Sequence, residues 1–412
     1  MYFYNFLFDI LAMSFTIGLV GKPSAGKSTF FKAATLADVA IAAYPFTTIK
    51  PNFGTGYVRV PCADKDFGVQ CNPRFGVCKN HMRFVPVEMI DVAGLVPGAH
   101  EGKGLGNQFL SDLSTADVLI HVIDASGSTN EKGENVPAGT HNPAIDVKFL
   151  EDEIDLWYYS IIERHWYKMS RASNMQKKKI EEQLSELLSS FKVTDKTITE
   201  GIVSLKLSAN PEAWTQEQLK ALAAHIRRDT KKILVAANKM DIPAAEKNIE
   251  ALKKEFPNIL FVPCSSEMEL ALREAARKGL IDYVPGSSEF KILAPEALND
   301  KQKAGLEMMS KFLKKWGTTG VQQVLDSAVF DFLKYIAIFP GGVNKLEDSK
   351  GNVLPDCFLL PPDANARDFA YALHTDFGKN FLYAIDVRTK KRIAGDAKLK
   401  HRDVVEIIHA AK

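Results

Sequence analysis

The chain's 412 residues exceed what one hydrophobic core usually serves, so roughly two or three domains are expected. Its composition, 46% hydrophobic and 25% charged, is that of an ordinary globular protein, and 52 basic against 50 acidic side chains give no overall charge from which to argue nucleic-acid binding. Five cysteines spread over so long a chain do not form a secreted disulfide framework, which points to a reducing, cytoplasmic setting.

No Lys or Arg precedes the apolar N-terminal stretch and Asp9 interrupts it, so residues 1–12 read as a short extension, neither a secretory signal nor a membrane span. Met1 and Met13 both stay open as the natural start. Residues 15–20 form an apolar run that predicts a buried strand feeding Gly21-Lys22-Pro23-Ser24-Ala25-Gly26-Lys27-Ser28, a match to GxxxxGK[ST] in the strand-to-helix setting that motif requires. Such a loop turns its backbone N–H groups inward onto phosphate oxygens, with the helix dipole behind them, and Thr29 continues the cradle. Lys27 is expected to reach the β- and γ-phosphates and Ser28 to ligate Mg²⁺. Thr47 and Thr48 follow in Tyr44-Pro45-Phe46-Thr47-Thr48, and Thr48 is chosen as the switch residue that binds Mg²⁺ and the γ-phosphate.

Further on, Cys62, Cys71, Cys78 and His81 are spaced C-x8-C-x6-C-x2-H. Three thiols and an imidazole suit tetrahedral zinc, but the short knuckle spacing is absent, and free thiols in a β-hairpin loop are the expectation. A strand at 85–90 then leads into Asp91-Val92-Ala93-Gly94, the DxxG arrangement, in which Asp91 orients the Mg²⁺ shell and the Gly94 N–H senses the γ-phosphate. Lys27, Thr48 and Gly94 are thereby the expected catalytic set.

Strands are also predicted at 118–123, 233–236 and 259–262, alternating with helical patterns as in a parallel α/β sheet. About a hundred residues separate the first two, too many for a crossover, so a subdomain is inserted there. Ile154, Trp157, Tyr158, Ile161 and Ile162, then Ile180, Leu184, Leu187 and Leu188, recur at helical spacing and predict two antiparallel helices over 145–167 and 175–191. Lys168, Arg171, Lys177, Lys178 and Lys179 would lie near their tip. After 233–236 comes Asn238-Lys239-Met240-Asp241, whose carboxylate suits the N1–H and 2-amino hydrogens that guanine has and adenine lacks. After 259–262, Cys264-Ser265-Ser266 places Ser265 and Ser266 where a backbone N–H meets the guanine carbonyl. Beyond Pro285 helices link to a small separate domain with strands at 358–360, 382–385 and 404–408 around a helix at 366–374.

The Tyr44–Thr48 segment with Pro51-Asn52, together with Asp91-Val92-Ala93-Gly94-Leu95-Val96-Pro97-Gly98-Ala99-His100-Glu101-Gly102-Lys103-Gly104-Leu105-Gly106-Asn107, resembles the Obg-like GTPases, the archaeal branch of the YchF group in particular. The resemblance implies an α/β P-loop G domain, a mostly parallel sheet flanked by helices, over 13–141 and 226–328. It also implies an inserted helical hairpin over 142–225 and a C-terminal TGS domain of β-grasp fold over 329–412. Leu95 stands where Ras-like enzymes place the glutamine that orients water, so slow intrinsic hydrolysis is expected; His100 is a weaker candidate for the missing group. Ser24 replaces the asparagine that helps many Obg-like members coordinate potassium, which argues against potassium stimulation. Asp241 is present where YchF proteins that prefer ATP have lost it, so GTP and GDP are the expected ligands. A monomeric, ribosome-associated switch with no membrane contact is the leading reading. A nucleotide-dependent kinase, a P-loop ATPase and a scaffold with negligible hydrolysis are its rivals.

Overall fold

The computed structural model describes residues 15–35, 53–92, 114–176 and 178–410, and these form two compact units. Among the described residues, one unit comprises 15–16, 28–35, 53–89 and 264–410; the other comprises 17–27, 90–92, 114–176 and 178–263. The elements, in chain order, are β1 (Thr16–Val20), α1 (Lys27–Thr35), β2 (Phe53–Pro61), β3 (Val77–Lys79), β4 (Met82–Asp91), β5 (Val118–Asp124), α2 (Pro143–Gln176), α3 (Ile180–Leu187), α4 (Asp195–Ser204), α5 (Gln216–Thr230), β6 (Lys232–Asn238), α6 (Ala244–Glu255) and β7 (Phe261–Pro263). After them come α7 (Ser266–Arg277), β8 (Ile281–Tyr283), β9 (Phe290–Ile292), α8 (Asp300–Trp316), α9 (Val321–Asp326), β10 (Ile336–Pro340), β11 (Phe358–Leu360), α10 (Ala366–Leu373), α11 (Thr375–Lys379), β12 (Phe381–Asp386), β13 (Arg392–Ile393) and β14 (Val404–His409).

In the unit built around the phosphate loop, β1, β5, β6 and β7 lie side by side in that order and all run parallel, with Ile17 opposite Val118 and Val118 opposite Lys232. Every residue of β5 is buried, as a strand covered on both faces requires. Parallel strands put their carboxyl ends on one edge, and there Asp124 and Asn238 end β5 and β6 while Gly21 follows β1.

The inserted segment is helical, as predicted, but it holds α2 to α5 where two helices were expected. α2 alone spans 34 residues, about 50 Å at helical rise. It continues through Lys168 and Arg171 to Gln176, so of the cations expected near the tip Lys178 and Lys179 precede α3 while Lys168 and Arg171 lie within the helix. Trp157 and Tyr158 on α2 meet Phe191 with ring centroids 5.1 and 5.4 Å away, and Trp166 stacks on Trp214 at 5.2 Å. The aromatic stripe is therefore the packing seam of this subdomain.

In the other unit β2 and β3 both flank β4, β3 pairing antiparallel with Val77 opposite Phe84. The hairpin β8–β9, which no sequence pattern announces, precedes α8. The C-terminal sheet has the order β11-β10-β14-β12-β13, parallel only between β10 and β14. Phe369 of α10 packs with Ile338, Leu360, Ala384 and Val405, a β-grasp arrangement of one helix on a mixed sheet. Val329 still belongs to a π-helical turn, Ser327–Phe332, that continues α9. Among the described residues no helix is long and apolar enough to cross a membrane.

Candidate nucleotide-binding site

β1 delivers the chain into the turn at 21–26, and α1 begins at Lys27. Two glycines are required here by space. A Cβ on Gly21 would lie 2.4 Å from the Val122 carbonyl oxygen, and one on Gly26, at φ +93°, would lie 2.2 Å from Asn238 Nδ2. Ser24 takes a left-handed φ of 59°, a conformation asparagine tolerates better than serine. Pro23 and Ser24 are exposed, Ala25 is buried, and no acidic side chain in the first turn of α1 opposes its positive dipole end. Ser28 is exposed in that first turn and Thr29 half-buried beside it.

Lys22 points away from the loop's mouth. Its Nζ donates to Thr129 O at 2.8 Å and pairs with Asp146 Oδ2 at 2.8 Å, while Asp146 Oδ1 meets His141 Nε2 at 3.0 Å. The side chain is a buried strut between the loop, the segment after β5 and the start of α2. Lys27 Nζ forms an ion pair with Asp91 Oδ1, bringing together the two residues on which phosphate and metal binding were expected to depend.

The segment 238–241 is tied to this loop. Asn238 Nδ2 donates to Ala25 O at 3.0 Å, through the gap that Gly26 leaves open. Lys239, at φ 64°, extends Nζ to Asp124 Oδ2 at 3.0 Å and to Ser128 Oγ at 3.3 Å. Asp124 belongs to none of the sequence motifs, yet it organises this edge. It is fully buried and also accepts from Ser126 N, Ser126 Oγ, Ser128 Oγ and Thr129 Oγ1. Burial pushes its carboxyl pKa up, but the hydrogen bonds from Ser126, Thr129 and Lys239 outweigh that and hold it below the usual carboxylate range. A carboxylate at the end of a buried strand followed by closely spaced hydroxyls is the signal that could have found it. Asp241 is exposed, two residues beyond Lys239.

Ser265 and Ser266 belong to the other unit and are both buried. Ser265 caps α7, its hydroxyl accepting from Met268 N, and its own N–H donates to Thr319 O at 2.8 Å. Behind them Glu269 collects Arg273 at 2.6 Å, Tyr283 Oη at 2.7 Å and Thr319 Oγ1 at 2.5 Å, fixing the first turns of that helix. Thr48, Gly94, Leu95 and His100 lie outside the described residues, as does the segment 1–12.

The chain matches the profile of the 50S ribosome-binding GTPases over residues 16–147, that of the Obg-like GTPase YGR210-like, G4 motif-containing domain over 236–342, and that of the TGS domain over 350–409. It is 46% identical over 397 residues to the uncharacterized GTP-binding protein MJ1332 of Methanocaldococcus jannaschii, covering 96% of this chain and 99% of that protein. To the ribosome-binding ATPase YchF of Bacillus subtilis it is 28% identical over 393 residues, covering 93% and 91%. The crystal structure of a GTP binding protein from Pyrococcus horikoshii OT3 superposes with a TM-score of 0.75 at 37% identity, covering 96% of this chain and 100% of that one. The Schizosaccharomyces pombe YchF GTPase shares the fold, with a TM-score of 0.57 at 18% identity over 96% and 98% of the two chains. With a phosphate loop tied to an Asn-Lys-x-Asp segment, a β-grasp C-terminus and these relatives, the chain belongs to the Obg-like, YchF-related family of P-loop GTPases.

Proposed function

We propose that the protein binds GTP with Mg²⁺ and hydrolyses it slowly, as a nucleotide-controlled switch in the cytoplasm that docks on the ribosome. The observation that carries the guanine assignment is the Asn238–Ala25 hydrogen bond, with Lys239 on Asp124 beside it. Together they tie the segment that carries Asp241 to the phosphate loop and to the end of β5, which supports Asp241 as the residue that reads the base. The Asp241 carboxylate accepts the guanine N1–H and 2-amino hydrogens. Backbone N–H groups of 21–28 hold the phosphates, and Lys27 moves from Asp91 to the β- and γ-oxygens. Ser28, Thr48 and Asp91 hold the metal shell, and the Gly94 N–H reads the γ-phosphate. Mg²⁺ held by these residues would supply charge neutralisation to the triphosphate. The exposed Ser28 hydroxyl and the Lys27–Asp91 pair put a hydroxyl, a carboxylate and a cation at the start of α1, a donor set that fits a magnesium phosphate. Leu95 cannot hydrogen-bond an attacking water, which is why the intrinsic rate is slow.

We assign 13–141 and 226–328 to the G domain, 142–225 to the helical insertion and 329–412 to the TGS domain. The ribosome enters through the names of the bacterial relatives and the two outlying domains, which offer partner surfaces. Potassium is not expected to stimulate hydrolysis, because Ser24 lacks the amide ligand.

Calorimetry with GTP, GDP, ATP and ADP tests the nucleotide assignment. Guanine nucleotides should bind on the order of a hundredfold or more tighter than adenine nucleotides, because adenine would leave the Asp241 carboxylate without its two donors. Asp241→Asn should weaken GTP binding and favour xanthine nucleotides. Equal affinities for ATP and GTP would sink the guanine reading.

A further inference from the structure

Cys62, Cys71 and Cys78 are too widely spaced to announce a metal knuckle, yet the fold brings their thiols together around Asp64, a residue no spacing pattern picks out. Cys62 follows β2 and Asp64 lies in a short 3-10 turn, Ala63–Phe67. Cys71 sits in the loop beyond it, and Cys78 is the middle residue of β3. One donor atom from each of Cys62, Asp64, Cys71 and Cys78 lies within 4.8 Å of all the others. The Cys62 and Cys71 sulfurs are 3.5 Å apart, and Cys78 Sγ is 3.7 Å from Asp64 Oδ2. In a tetrahedral zinc site, with Zn–S of about 2.3 Å and Zn–O of about 2.0–2.2 Å, neighbouring ligand atoms are about 3.4–3.8 Å apart. A disulfide instead requires sulfurs about 2.05 Å apart.

The surroundings suit a cation and not a set of idle thiols. Asp64 is fully buried, and His81, the fourth ligand one would draw from the spacing, is its outer partner, with Nδ1 at 3.0 Å from Oδ1. The Cys71 N–H also donates to Asp64 Oδ2 at 3.1 Å, and Cys62 N–H to His81 O at 2.8 Å, so the backbone holds the four residues in place. A carboxylate ligand steadied by an imidazole is the kind of outer partner that orients metal ligands. Three thiolates and a carboxylate exceed the charge of a divalent ion. Arg83, 1% exposed, supplies buried positive charge beside Cys62 and Cys71, and its Nε makes no hydrogen bond among the described residues.

We propose that Cys62, Cys71, Cys78 and Asp64 form a structural site for a thiophilic divalent cation, zinc, that stiffens the segment 61–83. Four protein ligands close the coordination shell, so the ion has a holding role. What it holds is the attachment of the C-terminal domain. Asp66 receives Arg388 at 2.7 Å and Arg402 at 3.1 Å, and Arg402 also donates to Pro61 O and Cys62 O. Asn72 N donates to Val353 O at 3.1 Å, Arg74 N to Pro355 O at 2.9 Å, and Arg83 to Leu354 O.

Metal analysis by mass spectrometry of the full chain, purified without chelator, should find about one zinc per molecule, and Cys71→Ser or Cys78→Ser should each leave less than about a tenth of it. Because serine at these buried positions could also unfold the segment, a second measurement uses the unaltered chain. After stripping with a chelator, titration with Co²⁺ should give the intense visible bands of tetrahedral cobalt–thiolate, saturating at about one equivalent and bleached by Zn²⁺. Stripping should leave GTP affinity within about twofold, since none of the four ligands lies in a phosphate- or base-binding segment. A chain that carries no zinc and gives no cobalt–thiolate spectrum overturns the proposal, as does a Cys62–Cys71 disulfide in the freshly purified protein.

Discussion

Gly26 and Asn238 show how two motifs 212 positions apart become one part. The absent side chain at 26 is the space through which the Asn238 amide reaches Ala25 O, so the glycine is required by the Asn238 contact as well as by the turn of the loop. His121, one strand over in β5, carries a pH consequence. It is buried, and burial, with Lys22 adding to it, pushes its pKa down to about 3. The unfolded chain binds a proton at this residue below about pH 6.5 and the folded chain does not, so stability falls as pH drops through that window. The slope is about 1.4 kcal/mol per pH unit, or about 2 kcal/mol between pH 6.5 and 5. Denaturant unfolding of wild type and His121→Phe at both pH values isolates it: the loss specific to wild type should vanish in the variant, and an equal loss in both would refute the assignment. At this scale the sequence was legible where chemistry dictates residue type at fixed spacing, as for Gly26, Lys27 and Asn238. It was silent on Asp124, on the Lys22 strut and on Asp64, whose roles depend on neighbours that only the folded chain supplies.

At the scale of elements, α2 and α5 are joined by a buried arginine. Arg227 is 3% exposed and donates to Asp155 at 2.6 Å and to Glu151 at 3.2 Å, with Tyr158 Oη meeting Thr230 Oγ1 one turn on. Burial lowers the Arg227 pKa, but the bonds and charge of Asp155 and Glu151 more than restore it. Arg227→Met should cost about 2 kcal/mol, less than a fully buried pair would lose, because both carboxylates remain partly hydrated. The thermal unfolding midpoint should drop while GTP affinity stays unchanged. If the midpoint does not move, the pair contributes nothing to holding the insertion together. The apolar period marked α2 well through Ile162, but beyond it the residues turn mostly polar around the helix, and Lys168 to Lys179 read as a tip. Helix propensity carries the chain on to Gln176 even though little of that last stretch is buried, and periodicity cannot register a helix without a dry face.

For the molecule as a whole, the distribution of cations bears on how it would meet a ribosome. The basic run from Arg388 to Arg402 reads in sequence as one patch, but the fold divides it. Arg388 and Arg402 are committed to Asp66, Lys398 pairs with Asp363 and Arg392 lies 3.6 Å over the Tyr383 ring. Lys390 and Lys391, exposed in the turn between β12 and β13, and exposed Lys400 are left as the cations of this run best placed for phosphate, together with exposed Lys178 before α3. If the C-terminal domain docks on the ribosome, reversing Lys390 and Lys391 to Glu should weaken cosedimentation with ribosomes in the presence of a non-hydrolysable GTP analogue. It should also flatten the dependence of log affinity on log salt by about 0.7–0.9 for each phosphate no longer neutralised. Asp66→Lys acts on the other half of the run. Two arginines then face a like charge, and hydrogen exchange should rise across 61–83 and 352–356, with GTP affinity unaltered because no phosphate- or base-binding residue lies there. Unchanged cosedimentation in Lys390→Glu/Lys391→Glu at every salt concentration would exclude the β12–β13 turn as the docking surface. The insertion would then have to carry the attraction alone.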